Sequence, residues 1–220
     1  MKKESIVLIV TIIATMTLTA WVGNDNTSKV PGNLTEVQIG GQTWMAENLN
    51  VESFRNGDPI PEVKSAEEWE KVGKRKKPAW CYYDYTSANG TKYGKLYNWY
   101  AVNDPRGLAP DGWHIPDSLE WTQLSNFLGG LKGSCTKLKS TSGWKENGNG
   151  TNESGFNGQP AGYSPYNGNC SESGETTRMW MSKEHSKSNA WFCQLEGNKS
   201  DVFYYQYYKV QGLSVRCVKD

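Results

Sequence analysis

The sequence predicts an α+β fold made of short antiparallel sheets, two or so helices and one long irregular loop region. The first observation is the aromatic content, because 10 Trp and 12 Tyr fall largely in short segments separated by Gly, Asn and Ser, a pattern typical of strand-rich domains. The second is that two segments carry clear helix start signals. The third is residues 143–177, whose richness in Gly, Asn, Ser and Glu predicts irregular structure.

The chain divides into three predicted parts. Residues 1–20 predict a signal peptide, because Lys2 and Lys3 precede a long apolar run. An uncleaved membrane anchor is the alternative, and the four threonines of this segment disfavour it. Residues 21–35 have the Gly, Asn, Ser, Thr and Pro content of a flexible tether, and residues 36–220 are long enough for one domain.

Export without lipid attachment is the predicted localisation. The tetrapeptide LTAW, Leu18–Trp21, resembles the end of a bacterial lipoprotein signal. In such signals the last residue is a cysteine whose thiol accepts the lipid, whereas the Trp21 indole offers no nucleophile, so a lost lipid anchor or ordinary cleavage after Ala20 would explain this segment. We expect the mature chain in the cell envelope, the periplasm or the extracellular space, with no membrane span once the signal is cleaved.

The domain begins with a predicted hairpin over Glu36–Leu49, in which a Gly-Gly pair supplies the two-residue turn. A helix is expected after Ser65, whose spacing to Glu68 fits a capping box, and Gly73 is expected to end this helix. The later predicted elements are a strand over Ala79–Tyr85, a turn at Asn89-Gly90, a hairpin formed by Ala190–Glu196 and Val202–Val210, and a last strand in Gly212–Asp220.

The segment APDGWHIPDSLEW, Ala109–Trp121, is the most tightly specified part of the sequence. It contains a turn, a short strand ended by a proline, and a helix capped by Asp117 with Glu120 in capping-box spacing. Trp121 begins an apolar helix face. The segment lacks a set of catalytic residues, so we expect it to build the fold. The residues expected to define the fold are Trp44, Trp99, Gly112, Trp113, Pro116, Glu120 and Trp121.

Several function classes have no support in the sequence. The chain has two histidines, His114 and His185, without the spacing that metal or nucleophile motifs require, and His114 is expected to be a buried structural residue. A net charge of +1 gives no basic excess for nucleic acid. The acidic residues of the long loop lack the EF-hand pattern, so calcium is disfavoured and no cofactor is expected.

Five cysteines bear on the redox chemistry of the chain. They contain no CxxC pair, so a zinc site is not expected. Export permits disulfides, and an odd count leaves at least one thiol free. Five choices of that free thiol and three pairings of the other four allow 15 arrangements, which the sequence leaves open. The cysteines are Cys81, Cys135, Cys170, Cys193 and Cys217.

Exposed aromatic side chains are the remaining candidates for a binding site, because Trp and Tyr rings stack on flat ligands such as sugars. Most tryptophans follow regular patterns and are expected in the core. The irregular region is different, because its aromatic residues have few aliphatic neighbours to pack against. The predicted ligand-binding residues are Trp144, Tyr163 and Tyr166 in that region and Trp180 just beyond it.

The order of several motifs resembles a known family. The segments VQIGGQTWMAENLN, KYGKLYNWYAV, APDGWHIPDSLEW and GNGTNESGFNGQPAGY are similar to the Fibrobacter succinogenes major paralogous domain, over residues 36–220. A more distant similarity links YNWYAV, GWHIPDSLEW and GLSVR to the formylglycine-generating enzymes. That resemblance implies a C-type lectin-like fold, with Arg216 as a further fold-defining residue in the last strand. The close cysteine pair of those enzymes is missing here, so their activity is not expected.

The expected function is an exported, non-enzymatic surface or periplasmic binding module whose ligand is a glycan or a surface protein. The calcium-dependent sugar motifs of C-type lectins are absent, since GQPAG has Gln159-Pro160 without the acid that would follow. A structural subunit of a cell-surface assembly is the alternative. A thiol-dependent enzyme using Cys217 with His114 is the third possibility, and a reactive, accessible Cys217 would favour it.

Overall fold

The computed structural model describes residues 34–220. The predicted signal peptide, residues 1–20, and all but the last two residues of the predicted tether, residues 21–35, lie outside them. Within the described part of the chain, no helix has the length and apolar character needed to cross a membrane.

The first sheet joins the two ends of the domain. Strands β1 (Glu36–Ile39) and β2 (Gln42–Met45) form the predicted hairpin, and Gly40 adopts the positive φ of 60° that its turn requires. Strands β5 (Trp113–His114) and β9 (Val218–Lys219) complete an antiparallel sheet of order β1-β2-β9-β5. Of the last strand predicted within Gly212–Asp220, only β9 is confirmed, and it pairs with β2 of the hairpin.

The segment after the hairpin folds into short elements. Helix α1 (Ala66–Lys74) begins at the predicted cap, where the Ser65 side chain accepts a hydrogen bond from Glu68 N, but it runs through Gly73. Of the strand predicted over Ala79–Tyr85, only Trp80–Cys81 forms a strand. The rest of the prediction is wrong, because a 3₁₀ turn follows. The remaining elements here are β3 (Trp80–Cys81), the 3₁₀ turn (Tyr83–Tyr85), α2 (Ala88–Tyr93), β4 (Leu96–Tyr97) and α3 (Trp99–Val102).

The turn predicted at Asn89-Gly90 is also wrong, because both residues lie inside α2. Any side chain at Gly90 would place its Cβ atom only 2.2 Å from the Tyr82 ring. Gly90 is therefore required for close packing and not for a left-handed turn, since its φ is not in the positive range. An Asn-Gly pair alone does not distinguish these two uses of glycine.

Helix α4 (Ser118–Phe127) confirms the interpretation of APDGWHIPDSLEW. Asp117 accepts hydrogen bonds from the backbone of Leu119 and Glu120, and the Glu120 carboxylate accepts one from Asp117 N at 2.9 Å. Both halves of the capping box are formed, a contribution of about 1 kcal/mol. Helix α5 (Leu131–Leu138) was not predicted, and its backbone leaves helical geometry at its second and third residues.

The second sheet contains the longest strands. It consists of β6 (Thr176–Glu184), β7 (Asn189–Glu196) and β8 (Phe203–Tyr208), antiparallel and in that order. The predicted hairpin is confirmed as β7 and β8, whereas β6 begins within the predicted irregular region. Residues 139–175 contain no helix or strand, which confirms the irregular loop over most of its length. The α+β class is confirmed, and residues 34–220 contain five short α-helices where two or so were predicted.

The residues expected to define the fold are buried or hydrogen bonded. Trp44 and Trp121 are fully buried and pack with Phe156, at ring centroid distances of 4.9, 5.8 and 5.7 Å. Trp99 and Trp113 are buried, Gly112 has a φ of 77° in its turn, and the Pro116 carbonyl accepts a hydrogen bond from Ser182 N in β6.

Arg216 is fully buried. Its guanidinium donates hydrogen bonds to the carbonyls of Met45 and Phe156 and to Asn48 Oδ1, and it lies 4.2 Å from the Phe156 ring centroid. It thereby links the first hairpin, the irregular loop and the segment before β9. Burial lowers the pKa of Arg216 to about 9.

Three buried lysines share this arrangement, each with its ammonium group over an aromatic ring. Their distances to the ring centroids are 4.4, 5.2 and 4.7 Å, and each ammonium donates hydrogen bonds to neighbouring oxygen atoms. Cation–π attraction and these hydrogen bonds together offset the cost of removing a charge from water. The lysine and ring pairs are Lys95 with Trp80, Lys139 with Trp144, and Lys209 with Trp99.

Candidate functional site

Two of the predicted ligand-binding residues belong to the core. Trp144 is 5% exposed, and its indole nitrogen donates to Ser140 Oγ at 3.0 Å. Trp180 is 0% exposed, and its indole nitrogen donates to the Tyr97 carbonyl at 2.8 Å. The prediction that these two rings bind a ligand is wrong, because neither offers a free face. Both use the hydrogen-bonding indole to satisfy buried acceptors.

The two predicted tyrosines occupy different places. Tyr166 is 60% exposed, but it does not line the clefts that lie against the second sheet. Tyr163 is half-buried and lines one of these clefts, with the Arg178 guanidinium 3.8 Å from its ring centroid. The structure therefore brings one of the four predicted residues into a candidate site.

One face of the second sheet builds that site. Side chains alternate between the two faces of a strand, and the pairs Arg178 with Gln194 and Phe192 with Tyr205 stand opposite each other in the register. Tyr207, two residues beyond Tyr205, lies on the same face. The opposite face carries Met179, Cys193 and Leu195, which pack into the core.

Two hollows on this face share Glu172, Arg178 and Gln194, and together they form one cleft. The aromatic end of the cleft has a volume of about 510 Å³, and the polar end has a volume of about 410 Å³. These volumes lie within the range of small-molecule and oligosaccharide sites. The irregular loop forms one wall through Tyr163 and Glu172, and the sheet forms the floor.

A hydrogen-bonded network fixes the floor of the cleft. Arg178 donates from Nε to Gln194 Oε1 at 2.8 Å and from Nη2 to Glu172 Oε2 at 2.8 Å. Thr176 Oγ1 donates to the same Glu172 oxygen at 3.0 Å, and Gln194 Nε2 donates to Glu196 Oε1 at 2.6 Å. Within residues 34–220, Arg178 Nη1 has no hydrogen-bond partner, so the network leaves a donor beside the cleft.

Tyrosines form the outer side of the aromatic end. Tyr205 is 44% exposed and Tyr207 is 38% exposed. Their ring centroids lie 6.0 and 6.5 Å from that of Phe192, which packs beneath them. Phe203 stacks on Tyr205, with centroids 5.8 Å apart and planes inclined by 11°. These contacts restrict the movement of the tyrosine rings.

The polar end of the cleft is acidic. Its lining contains two cations, Lys145 and Arg178, and four carboxylates, which gives a formal charge of −2. Each cation is paired, Arg178 with Glu172 and Lys145 with Glu175, at 2.8 and 2.9 Å. The two further carboxylates belong to Glu146 and Glu196.

His114 is the only histidine with carboxylate partners in the described part of the chain. Its Nδ1 is 2.7 Å from Asp220 Oδ1, and its Nε2 is 2.6 Å from Glu120 Oε1. Burial lowers the pKa of His114, but the two carboxylates outweigh burial, so the net pKa is raised above its ordinary value. The hydrogen-bonded role is confirmed, whereas the expected full burial is wrong, since the side chain is 41% exposed.

The residues that form most of the cleft are absent from those predicted from the sequence. Glu172, Arg178 and Gln194 come from a loop and two strands, and only the pairing of β6 with β7 brings them together. A signal did exist for Tyr205 and Tyr207, because aromatic residues occupy alternate positions of a strand after Phe203. In residues 34–220 no group of three or more His, Cys, Asp or Glu side chains is arranged to hold a metal ion.

Comparison with known proteins places the chain in a family. A family model described as the Fibrobacter succinogenes major domain matches residues 37–219. No curated protein and no solved structure matches the chain. The match covers well over half of the 220 residues and includes the loop wall and the floor of the cleft. The chain therefore belongs to the Fibrobacter succinogenes major domain family.

Proposed function

We propose that this protein is an exported, non-enzymatic binding module and that its ligand is a neutral glycan held in the cleft of the second sheet. The observation that carries the proposal is the combination of pre-positioned tyrosine rings with a fixed polar network in one cleft. Sugar recognition needs both, since ring faces stack on C–H surfaces while amide, guanidinium and carboxylate groups bind hydroxyls.

The polar network suits hydroxyl groups. Carboxylate and amide oxygens at Glu172 and Gln194 accept hydrogen bonds, and the open nitrogen of Arg178 donates them. Because Arg178 is held between Tyr163 and these partners, a ligand meets it without reordering the side chain. This preorganisation favours binding over a surface made of mobile side chains.

The charge of the cleft argues for a neutral glycan over an acidic one. The formal charge of −2 repels uronic acids, sulfates and phosphates. Both cations at the polar end are already paired with carboxylates, so neither is available as an unpaired anion site. Neutral sugars avoid this repulsion and still use the acceptor groups.

The contacts of the cleft carboxylates support binding over catalysis. Glu172 is ion-paired with Arg178 and accepts a hydrogen bond from Thr176, which suits a fixed acceptor better than a proton donor. The thiol-enzyme alternative also lacks support. Burial raises the pKa of Cys217 to about 12, and this thiol is fully buried, so it is a poor nucleophile.

We also propose that the fold is C-type lectin-like, as the distant resemblance implies. Two features support this assignment. The β2–β9 pair brings the first and last parts of the domain into one sheet, and a long irregular loop precedes a second sheet that carries the ligand face. An experimental structure whose strand order matches no C-type lectin-like domain would contradict the assignment.

A surface protein is the second candidate ligand, and the position of β8 favours it. The strand lies at the edge of its sheet, so its outer backbone edge is open to an added strand from another chain. Protection of the β8 amides from hydrogen exchange by an extended peptide would support this candidate. Self-association through the same edge would support the predicted structural-subunit role.

The test of the glycan proposal is an array of neutral and acidic oligosaccharides, probed with and without calcium and followed by calorimetry on the hits. We expect calcium-independent binding to neutral glycans. Tyr205→Ala and Tyr207→Ala should each raise Kd roughly tenfold. Tyr166→Ala is the control, because this tyrosine is more exposed than Tyr205 and Tyr207 but does not line the cleft.

Three outcomes would contradict the proposal. A blank array from a folded protein would remove the glycan ligand, and selective binding to acidic glycans would contradict the charge argument. The third outcome is glycan binding that Tyr205→Ala and Arg178→Lys leave unchanged and Tyr166→Ala abolishes. This result would place the site at the exposed tyrosine predicted from the sequence.

A further inference from the structure

The five cysteines, all free thiols, are distributed over three hydrophobic clusters. Cys217 lies in the cluster that contains Trp80 and Trp180, and no other cysteine of residues 34–220 belongs to it. Cys135 and Cys193 lie in the cluster around Trp121. The two others meet at the cluster around Trp69, described next. Because a disulfide joins two neighbouring sulfur atoms, only pairings within one cluster remain from the 15 possible arrangements.

Cys81 and Cys170 meet in the cluster around Trp69. Cys81 is fully buried in β3, and Cys170, from the irregular loop, packs against the same cluster with its side chain partly accessible. The two thiols lie close enough for each to shift the pKa of the other. Cys135 instead directs its sulfur to the Glu196 carbonyl at 3.8 Å. The packing of two thiols against one cluster, with one of them partly accessible, therefore distinguishes the first pair.

Backbone contacts hold Cys170 in this position. Tyr163 and Ser171 exchange two hydrogen bonds, with N–O distances of 3.1 and 3.0 Å, and so close a small loop that contains Cys170. The hydroxyl of Tyr85 donates to the Gly168 carbonyl at 2.6 Å and fastens this loop to the segment that follows β3. The two thiols are therefore neighbours because of the fold around them.

We propose that Cys81 and Cys170 form a disulfide bond in the mature protein, which ties the irregular loop covalently to β3. The pair closes a large loop of the chain, since Cys170 follows Cys81 by 89 positions in the sequence. Crosslinks that close long loops restrict the unfolded chain strongly. An exported chain also meets the oxidising conditions under which disulfides persist.

Cys170 is the thiol that reacts first. The neighbouring Cys81 thiol lowers the pKa of Cys170, whereas burial, aided by the neighbouring Cys170 thiol, raises the pKa of Cys81 well above its ordinary value. Nucleophilic attack requires a thiolate with access to its target. Both requirements favour Cys170 over the buried Cys81 as the first thiol to react.

The reaction balances as a thiol–disulfide exchange. The Cys170 thiolate attacks one sulfur of a donor disulfide, either oxidised glutathione or an oxidoreductase, and one donor thiolate leaves. Cys81 then loses its proton to that thiolate and attacks Cys170 Sγ, which releases the second donor sulfur as a thiolate that takes up the proton lost by Cys170. The protein dithiol is oxidised by two electrons, and the donor disulfide is reduced to two thiols.

The crosslink has a consequence for the cleft that rests on the proposed function. Cys170 lies two residues before Glu172, the carboxylate that holds Arg178. Fixing Cys170 to β3 restrains the loop wall of the cleft. The disulfide itself is tested without any ligand, so failure of the glycan proposal and failure of this one are distinguishable.

The test refolds the full chain in a mixture of oxidised and reduced glutathione and maps crosslinked peptides by mass spectrometry. We expect a mass lower by two hydrogens, one linkage between the Cys81 and Cys170 peptides, and a Tm roughly 10 °C above that of the reduced protein. Cys170→Ser should abolish both the linkage and the difference in Tm on reduction. Cys217→Ala is the control and should keep both.

Two results would overturn the proposal. One is a folded, oxidised protein in which Cys81 and Cys170 can both still be alkylated after denaturation. The other is a linkage that joins Cys170 to a cysteine other than Cys81. Because both readouts are made on the wild-type chain, poor folding of a variant would not obscure them.

Discussion

Arg216 and Arg178 each place a guanidinium on an aromatic ring, but the two regions around them differ in what the arginine bonds to. Arg216 is fully buried and donates to two backbone carbonyls and to Asn48. Arg178 donates to side chains of the sheet and the loop beside an open cleft. The same chemical contact therefore fixes the fold in one region and holds part of the proposed binding cleft in the other.

Removing each arginine should have a different consequence. Backbone carbonyls buried around Arg216 lose their partner if the arginine is removed, and an unsatisfied buried acceptor is costly. The partners of Arg178 are side chains that line the cleft, where water can replace the arginine. Changes near Arg216 should therefore affect folding, and changes near Arg178 should affect binding.

The largest expected effect is at the rings beneath Arg216. Trp121→Ala should lower the free energy of unfolding by about 4 kcal/mol, because the fully buried indole packs against Trp44 and Phe156. Urea denaturation measures the change. Phe127→Ala, on the same helix but 65% exposed, is the control and should cost under about 1 kcal/mol. A Trp121→Ala protein of near wild-type stability would contradict the core placement.

The two arginines themselves give the second prediction. Arg216→Met should lower the free energy of unfolding by about 3 kcal/mol, because the Met45 and Phe156 carbonyls stay buried without a donor. Arg178→Met should cost only about 1 kcal/mol, since the Arg178–Glu172 pair borders the cleft. Equal losses in urea denaturation would break the distinction between the two regions.

Alkaline pH provides a third and smaller test of the core. Burial raises the pKa of Tyr204 to about 12, on the face of β8 that packs into the core. The unfolded chain loses this proton at lower pH than the folded chain, so the stabilising contribution is complete below pH 10 and declines above it.

Tyr204→Phe should therefore make the decline of stability between about pH 10 and pH 12 shallower, by roughly 1 kcal/mol per pH unit. Urea denaturation at several alkaline pH values measures the slope. A slope that Tyr204→Phe leaves unchanged would show that this phenol is not protected by the folded state.

The smallest expected effect is at His114, which lies at the surface end of the first sheet. Its pKa is raised above the ordinary value of 6.5, so its contribution to stability is complete below that pH and is lost as the pH rises through the folded-state pKa. Because the ring is partly exposed, the effect should be about 0.5 kcal/mol.

His114→Gln should therefore destabilise the protein more at about pH 5.5 than at about pH 8.5. Thermal unfolding of both proteins at the two pH values measures this difference. A larger loss at the higher pH would mean that the neutral ring, and not the charged one, makes the stabilising contacts with Glu120 and Asp220.

Local features of the fold were predictable because their causes are local in sequence. The capping box of Asp117 and Glu120 spans four residues, and the Gly-Gly turn of the first hairpin spans two. Helix α5 was not predictable from such signals, because Gly133 interrupts it and packing of Cys135 and Leu138 sustains it. Propensity decides an element only where tertiary packing does not override it.

The site was less predictable, because it depends on burial and on pairing between distant segments. Trp144 lies in a Gly-rich loop that suggests exposure, yet Lys139 and Ser140 cover its indole. Arg178 gains its role only when β6 pairs with β7 and the loop brings Glu172 beside it. Composition identified the loop that supplies one wall, but it could not assign a residue to the core or to the cleft.

The alternation of side chains along β8 affects how this protein can evolve after gene duplication. Tyr205 and Tyr207 lie on the cleft face, while Tyr204 between Phe203 and Tyr205 packs into the core. Copies of the gene can therefore vary Tyr205 and Tyr207, and with them the surface of the cleft, while Tyr204 keeps the strand packed on the core. Diversification within one genome then requires no change of architecture.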